Sequence, residues 1–74
     1  MNQEITGIID QLIDEESGYI KGNDGNLYYF STLNFINPIN RPIKNIIGLE
    51  VNFKSNYIPA LGLYTASLIE FYIN

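Results

Sequence analysis

The residues of this chain best suited to chemistry are aromatic, and they gather in one stretch, Ser17 to Ser31, SGYIKGNDGNLYYFS. Tyr19 and Tyr29 supply flat π-faces, and Lys21 a cation beside them. Rings set next to an ammonium group make and break no bonds by themselves. Their chemistry is stacking on flat groups and attraction of charge.

Bond-making chemistry is poorly provided for. The chain has no histidine and no cysteine, which removes the commonest general base, the commonest metal ligand and every thiolate site. Asp10, Asp14, Glu15 and Glu16 lie close together in sequence, but their spacing does not match the alternate oxygen ligands of a calcium loop. Asp14 to Ser17 reads as a solvated acidic turn. The expectation is a protein that is not an enzyme and that carries no metal and no cofactor.

The rings need strands to position them. Asp24-Gly25 supplies a tight turn, because glycine tolerates the positive φ that short hairpin loops require. Tyr19-Ile20-Lys21 before it and Leu27 to Phe30 after it suit a pleated surface. Alternation sends Ile20 and Tyr28 into a core and puts Tyr19, Lys21 and Tyr29 on the other face.

Glu4 to Ile13 predicts a first strand, with Ile5, Gly7 and Ile9 on one face. Leu12 breaks the alternation and predicts a bulge near Asp10-Gln11. The rival is a helix with Ile5, Ile8, Ile9, Leu12 and Ile13 on one side. Gly7 and the β-branched run favour the strand. Ser31 or Thr32 is placed to cap a short helical turn, and Asn37 to Asn45 reads as a long loop that packs down through its isoleucines. Val51 and Phe53 alternate with Glu50, Asn52 and Lys54 in a fourth strand, Leu49 to Lys54. Ser55 to Leu61 reads as a loop around Pro59. The last strand, Gly62 to Ile73, carries apolar residues on both faces, which predicts a strand covered on both sides or paired with another chain. Five short strands in 74 residues predict one all-β domain over 1–74, a small antiparallel barrel.

In this order the strands resemble a cold-shock domain, a five-stranded OB-fold that binds single-stranded RNA and DNA. Thr6-Gly7-Ile8-Ile9 looks like the family's opening Gly-x-Val. Ser17-Gly18-Tyr19-Ile20 is similar to the end of its Lys-Gly-Phe-Gly-Phe-Ile motif. Asp24-Gly25 with Leu27 to Ser31 looks like its Val-Phe-Val-His-Phe-Ser strand. Gly48 to Phe53 resembles its Gly-x-x-Val-x-Phe, and Gly62 with Ala66-Ser67-Leu68 its closing Gly-Pro-x-Ala-x-Asn-Val. The resemblance implies stacking by Tyr19, Tyr29 and Phe30, with Leu27 in place of an aromatic residue. The chain departs from the family at Asp10-Gln11-Leu12, where the family has Lys-Trp-Phe, and at Glu16, where it has a lysine. Phe35 either extends this surface or fills the barrel base, and Lys54 and Tyr57 are further candidate contacts at the edge.

The formal net charge of −4 opposes broad phosphate tracking. The expected activity is therefore weak, low-specificity binding of single-stranded RNA or DNA. The alternative is a module that has kept the fold and lost the ligand, and that binds a protein partner or forms a homodimer. The N-terminus has no basic, apolar leader pattern and no stretch is long enough to span a membrane, so no membrane partner is expected. The lack of cysteine favours a cytoplasmic location.

Overall fold

Alternation, turn chemistry and breaks in strand register account for most of the architecture. A computed structural model describes residues 3–72 of the chain. Five strands are present: β1 (Gln3–Asp14), β2 (Ser17–Gly22), β3 (Leu27–Ser31), β4 (Glu50–Ile58) and β5 (Leu63–Phe71). They close into a barrel in the order β1-β2-β3-β5-β4, with β4 paired back to β1. This all-β closed barrel is consistent with an OB-like fold. It is not wholly antiparallel: β3 and β5 run parallel, meeting at Tyr29 and Thr65.

β1 is long enough to pair with both β2 and β4 because it bends. The register jumps from Ile9–Ile20 to Gln11–Tyr19, leaving Asp10 as the extra residue of the expected bulge. The jump keeps Ile9 buried and returns Leu12 to the core side, where it packs against the buried cluster. The acidic turn joins β1 to β2. One carboxylate oxygen of Asp14 accepts from the Glu16 N–H at 2.8 Å and from the Ser17 hydroxyl at 2.9 Å. Gly18 follows, and a Cβ there would collide with the carbonyl oxygen of Gln11, so β1 and β2 approach this closely only around a glycine.

The β2–β3 turn has Gly25 at φ 89°. Asp24 accepts from the Asn26 N–H at 3.0 Å, the Asx geometry expected of such turns. After β3, Ser31 caps a 3₁₀ turn at Thr32–Asn34: its hydroxyl accepts from the Leu33 N–H, while its own N–H donates to the Asn34 side chain. The following loop folds down as expected, except at Ile47, which stays exposed. Ile39 and Ile43 pack against the core and Ile46 is fully buried.

Two expectations for the C-terminal half are corrected. Ser55 to Ile58 is not loop; it continues β4 and pairs with Leu63 to Ala66 of β5. Among the described residues β1 pairs with β4 as far as Ser55, and the β4–β5 hairpin continues beyond that point. The two-sided apolar pattern of β5 does not mean that the strand is covered twice. Between Asn52–Glu70 and Lys54–Ser67, β5 uses one residue more than β4, and Leu68 there has φ 49°. The bulge changes which parity faces inward, so Ala66 and Ile69 are both buried although they are three residues apart. Ile9, Ile20, Phe30, Val51, Phe53 and Ile69 fill the barrel from all five strands.

Candidate stacking surface on β2 and β3

Tyr19 and Tyr29 are direct cross-strand partners on the outside of the β2–β3 ladder. Both are partly exposed. Their ring centroids lie 6.1 Å apart and the ring planes meet at 74°, an edge-to-face contact that aromatic quadrupoles favour. One register step along, Lys21 stands opposite Leu27, and both are exposed. Tyr19, Lys21, Leu27 and Tyr29 therefore share one outward face, as alternation predicts.

The angle between the rings limits what they accept. A single rigid ring system cannot lie flat on two faces inclined at 74°. Two flat groups joined by a flexible chain can, one on each ring. Lys21, the one cation in either strand, stands next to them.

The inner face of the same ladder fixes this geometry. Tyr28 is buried and packs edge-on against Phe53 at 5.0 Å and Tyr64 at 5.4 Å. Its hydroxyl donates to Asp24 at 2.5 Å, tying the strand to the turn. Burial raises the Tyr28 hydroxyl above its ordinary value, and the hydrogen bond to Asp24 adds to the rise. For Asp24, burial opposes ionisation, but the Tyr28 hydroxyl and the Asn26 donors outweigh it and hold the carboxyl below its usual value. Asp14 is likewise lowered, first by the Glu16 N–H and then by the Ser17 hydroxyl.

Phe30 corrects the sequence reading. It has no exposed surface and cannot stack on a ligand. The reason is elementary: Tyr29 and Phe30 are neighbours on one strand, so they point to opposite faces. Phe35 also faces the core. Its backbone bridges to Ile69, and its ring lies 5.7 Å from Phe30 and 5.2 Å from Phe71, closing the barrel base.

Lys54 and Tyr57 are on β4, and their odd separation puts them on opposite sides of it. Lys54 points outward, opposite Ser67 of β5. Tyr57 sits on the β4–β5 hairpin, across from Tyr64 at 4.8 Å. Register does not bring Tyr57 into the row of Tyr19 and Tyr29. Tyr64 was missed by sequence reasoning. Its signal was the near-symmetric placing of Tyr57 and Tyr64 about the Pro59–Gly62 turn, the mark of a hairpin.

Arg41 and Lys44 lie elsewhere. Arg41 sits 5.7 Å from the Phe71 ring centroid, and both cations line a cleft of about 980 Å³ beside Leu12, Ile43, Asp14 and Glu15. Among the described residues no group of three or more metal-ligating side chains is placed to hold an ion, and no helix is long and apolar enough to cross a membrane. No protein-family model matches the chain, and no curated protein matches it.

Proposed function

We propose that this chain is a divergent cold-shock-like barrel that binds single-stranded nucleic acid weakly, on the outer face of β2 and β3. The observation that carries the reading is the Tyr19–Tyr29 pair: two outward rings on rigid strands, inclined to each other, beside Lys21. A single strand presents flat bases on a flexible backbone, and each base stacked on an aromatic ring is worth about 1–3 kcal/mol by alanine substitution. With Phe30 and Phe35 committed to packing, two rings remain here. Few cations add to them, so affinity is micromolar or poorer and discrimination between bases is slight. The binding needs no cofactor and no catalytic group.

The test is an NMR titration of labelled protein with short oligothymidylate and oligouridylate at low salt. Shifts centred on Tyr19, Lys21, Leu27 and Tyr29, weakened by added salt, are expected. An unchanged spectrum at millimolar strand overturns the reading.

A second reading has its own observation. Leu27, Ile58 and Leu61 are exposed apolar residues of β3 and the β4–β5 hairpin, and exposed apolar patches mark partner surfaces. On that reading the chain binds a protein or a second copy of itself, and sedimentation at high concentration gives a mass above the monomer.

A further inference from the structure

The register of the barrel shows that the outward row does not stop at Tyr29. Tyr29 meets Thr65 of β5, Thr65 meets Asn56 of β4, and Ser67, two residues further along β5, meets Lys54. Neighbours across a ladder point to the same side, so Tyr19, Tyr29, Thr65, Ser67, Asn56 and Lys54 form one outward path over four strands. The Asn56 amide donates to the Ser67 hydroxyl at 3.1 Å, which confirms that these two share a face. With strands roughly 4.8 Å apart, the path from β2 to β4 is about 14 Å long.

Charge separates this direction from its opposite. On the other side of Tyr19 lies β1, where Gln11 is the register partner and Asp10 is the exposed bulge residue. Asp14, Glu15 and Glu16 follow at the β1–β2 turn, all exposed. A polyanion seated on Tyr19 and Tyr29 is repelled from that side. Towards β5 and β4 it meets two hydroxyls, an amide and then the Lys54 ammonium, while the exposed carboxylates of Glu70 and Glu50 lie further along the same face and hold the strand to the Thr65–Lys54 end. Beyond Lys54, its register partner on β1 is Glu4, which closes the path.

Resting on the stacking function proposed above, we infer that the bound single strand leaves the two tyrosines across the β3–β5 seam, with Asn56 contacting a base edge and Lys54 a phosphate. One N–H of the Asn56 amide is committed to Ser67. An amide also carries a second N–H and a carbonyl oxygen, the donor–acceptor pair that a base edge meets. The footprint therefore runs β2, β3, β5, β4 and avoids β1.

The experiment is a titration of the whole chain with hexathymidylate, repeated at several salt concentrations, on the parent and on Tyr29→Ala, Asn56→Ala and Lys54→Gln. Amide dispersion serves as the check that each variant is folded. The expected results are shifts at Asn56, Thr65 and Ser67, a loss of about two- to tenfold for Asn56→Ala, and a salt slope shallower by about 0.7 for Lys54→Gln. If Tyr29→Ala weakens binding while Asn56→Ala and Lys54→Gln match the parent, or if shifts run instead to Asp10 and Gln11, this path is wrong and the stacking function stands. If Tyr29→Ala binds as the parent does, or no strand binds, the stacking function and the path both fall.

Discussion

Tyr28 and Phe30 point into the barrel from β3, and Tyr29, between them, points out. The inner pair touches Phe53, Tyr64 and Phe35 and has almost no exposed surface. Among the described aromatic residues the outer ring touches only Tyr19. Chemically similar residues, each one position apart, thus answer to different forces. The inner rings gain from leaving water, at roughly 25 cal/mol per Å² of apolar surface. The outer rings keep part of that surface exposed and stay available to a ligand. What distinguishes a structural ring from a candidate binding ring here is strand parity and nothing in the ring itself.

The most severe way to break that contrast is to truncate one ring from each face. Phe30→Ala removes a fully buried ring and is expected to cost about 3–5 kcal/mol, enough to leave so small a domain largely unfolded, as a urea melt followed by circular dichroism will show. Tyr29→Ala is expected to change stability by less than about 1 kcal/mol and to lower affinity for hexathymidylate by about 1–3 kcal/mol. Equal destabilisation by the two would mean that the outer rings are structural as well.

Tyr28→Phe tests the polar tip of an inner ring. It deletes the hydrogen bond to Asp24 and is expected to cost about 1 kcal/mol near neutral pH. Asp24 is held below its ordinary 3.8, so its contribution is complete above that value and is lost as pH falls through the lower folded value. Tyr28 is held above 10.0, so its contribution is complete below that value and is lost as pH rises through the higher folded one. The gap between parent and variant should be widest between these limits and narrow outside them, measured by urea unfolding at a series of pH values. A gap that does not change with pH would detach the bond from both ionisations.

The smallest effect is expected on β5. Leu68 is exposed and sits at φ 49°, a conformation that costs a leucine about 1–2 kcal/mol and glycine almost nothing. Leu68→Gly should raise stability by up to about 1 kcal/mol in the same urea assay. A loss would show that the Leu68 side chain, though outward, is packed in earnest.

Much of this arrangement was legible in the sequence where one face of a strand meets the core. Ile20 and Tyr28, Val51 and Phe53, the bulge at Asp10 and the cap at Ser31 all follow from alternation or from a polar group seeking a backbone partner. The illegible parts share a cause. In Ser55 to Ile58 two polar residues precede two apolar ones, so no alternation shows, and Pro59 beyond it suggested a loop. In β5 the extra residue at Leu68 superimposes two alternations of opposite phase, and their sum looks like a strand with two apolar faces. Phe30 was readable from parity, but the motif it resembles drew it to the wrong side. The outward path through Thr65 and Asn56 depends on which strands become neighbours, and a sequence read strand by strand does not contain that.

The parallel meeting of β3 and β5 rests on Tyr29 with Thr65 and on the bridge from Phe35 to Ile69, whereas β4 and β5 pair along seven positions. A closed cylinder opens at its shortest seam. Amide protons flanking that seam should exchange with solvent before those of the β4–β5 hairpin. A nucleic-acid strand lying over it would act as a clasp, and slower exchange there would register the ligand even where affinity is too low to weigh directly.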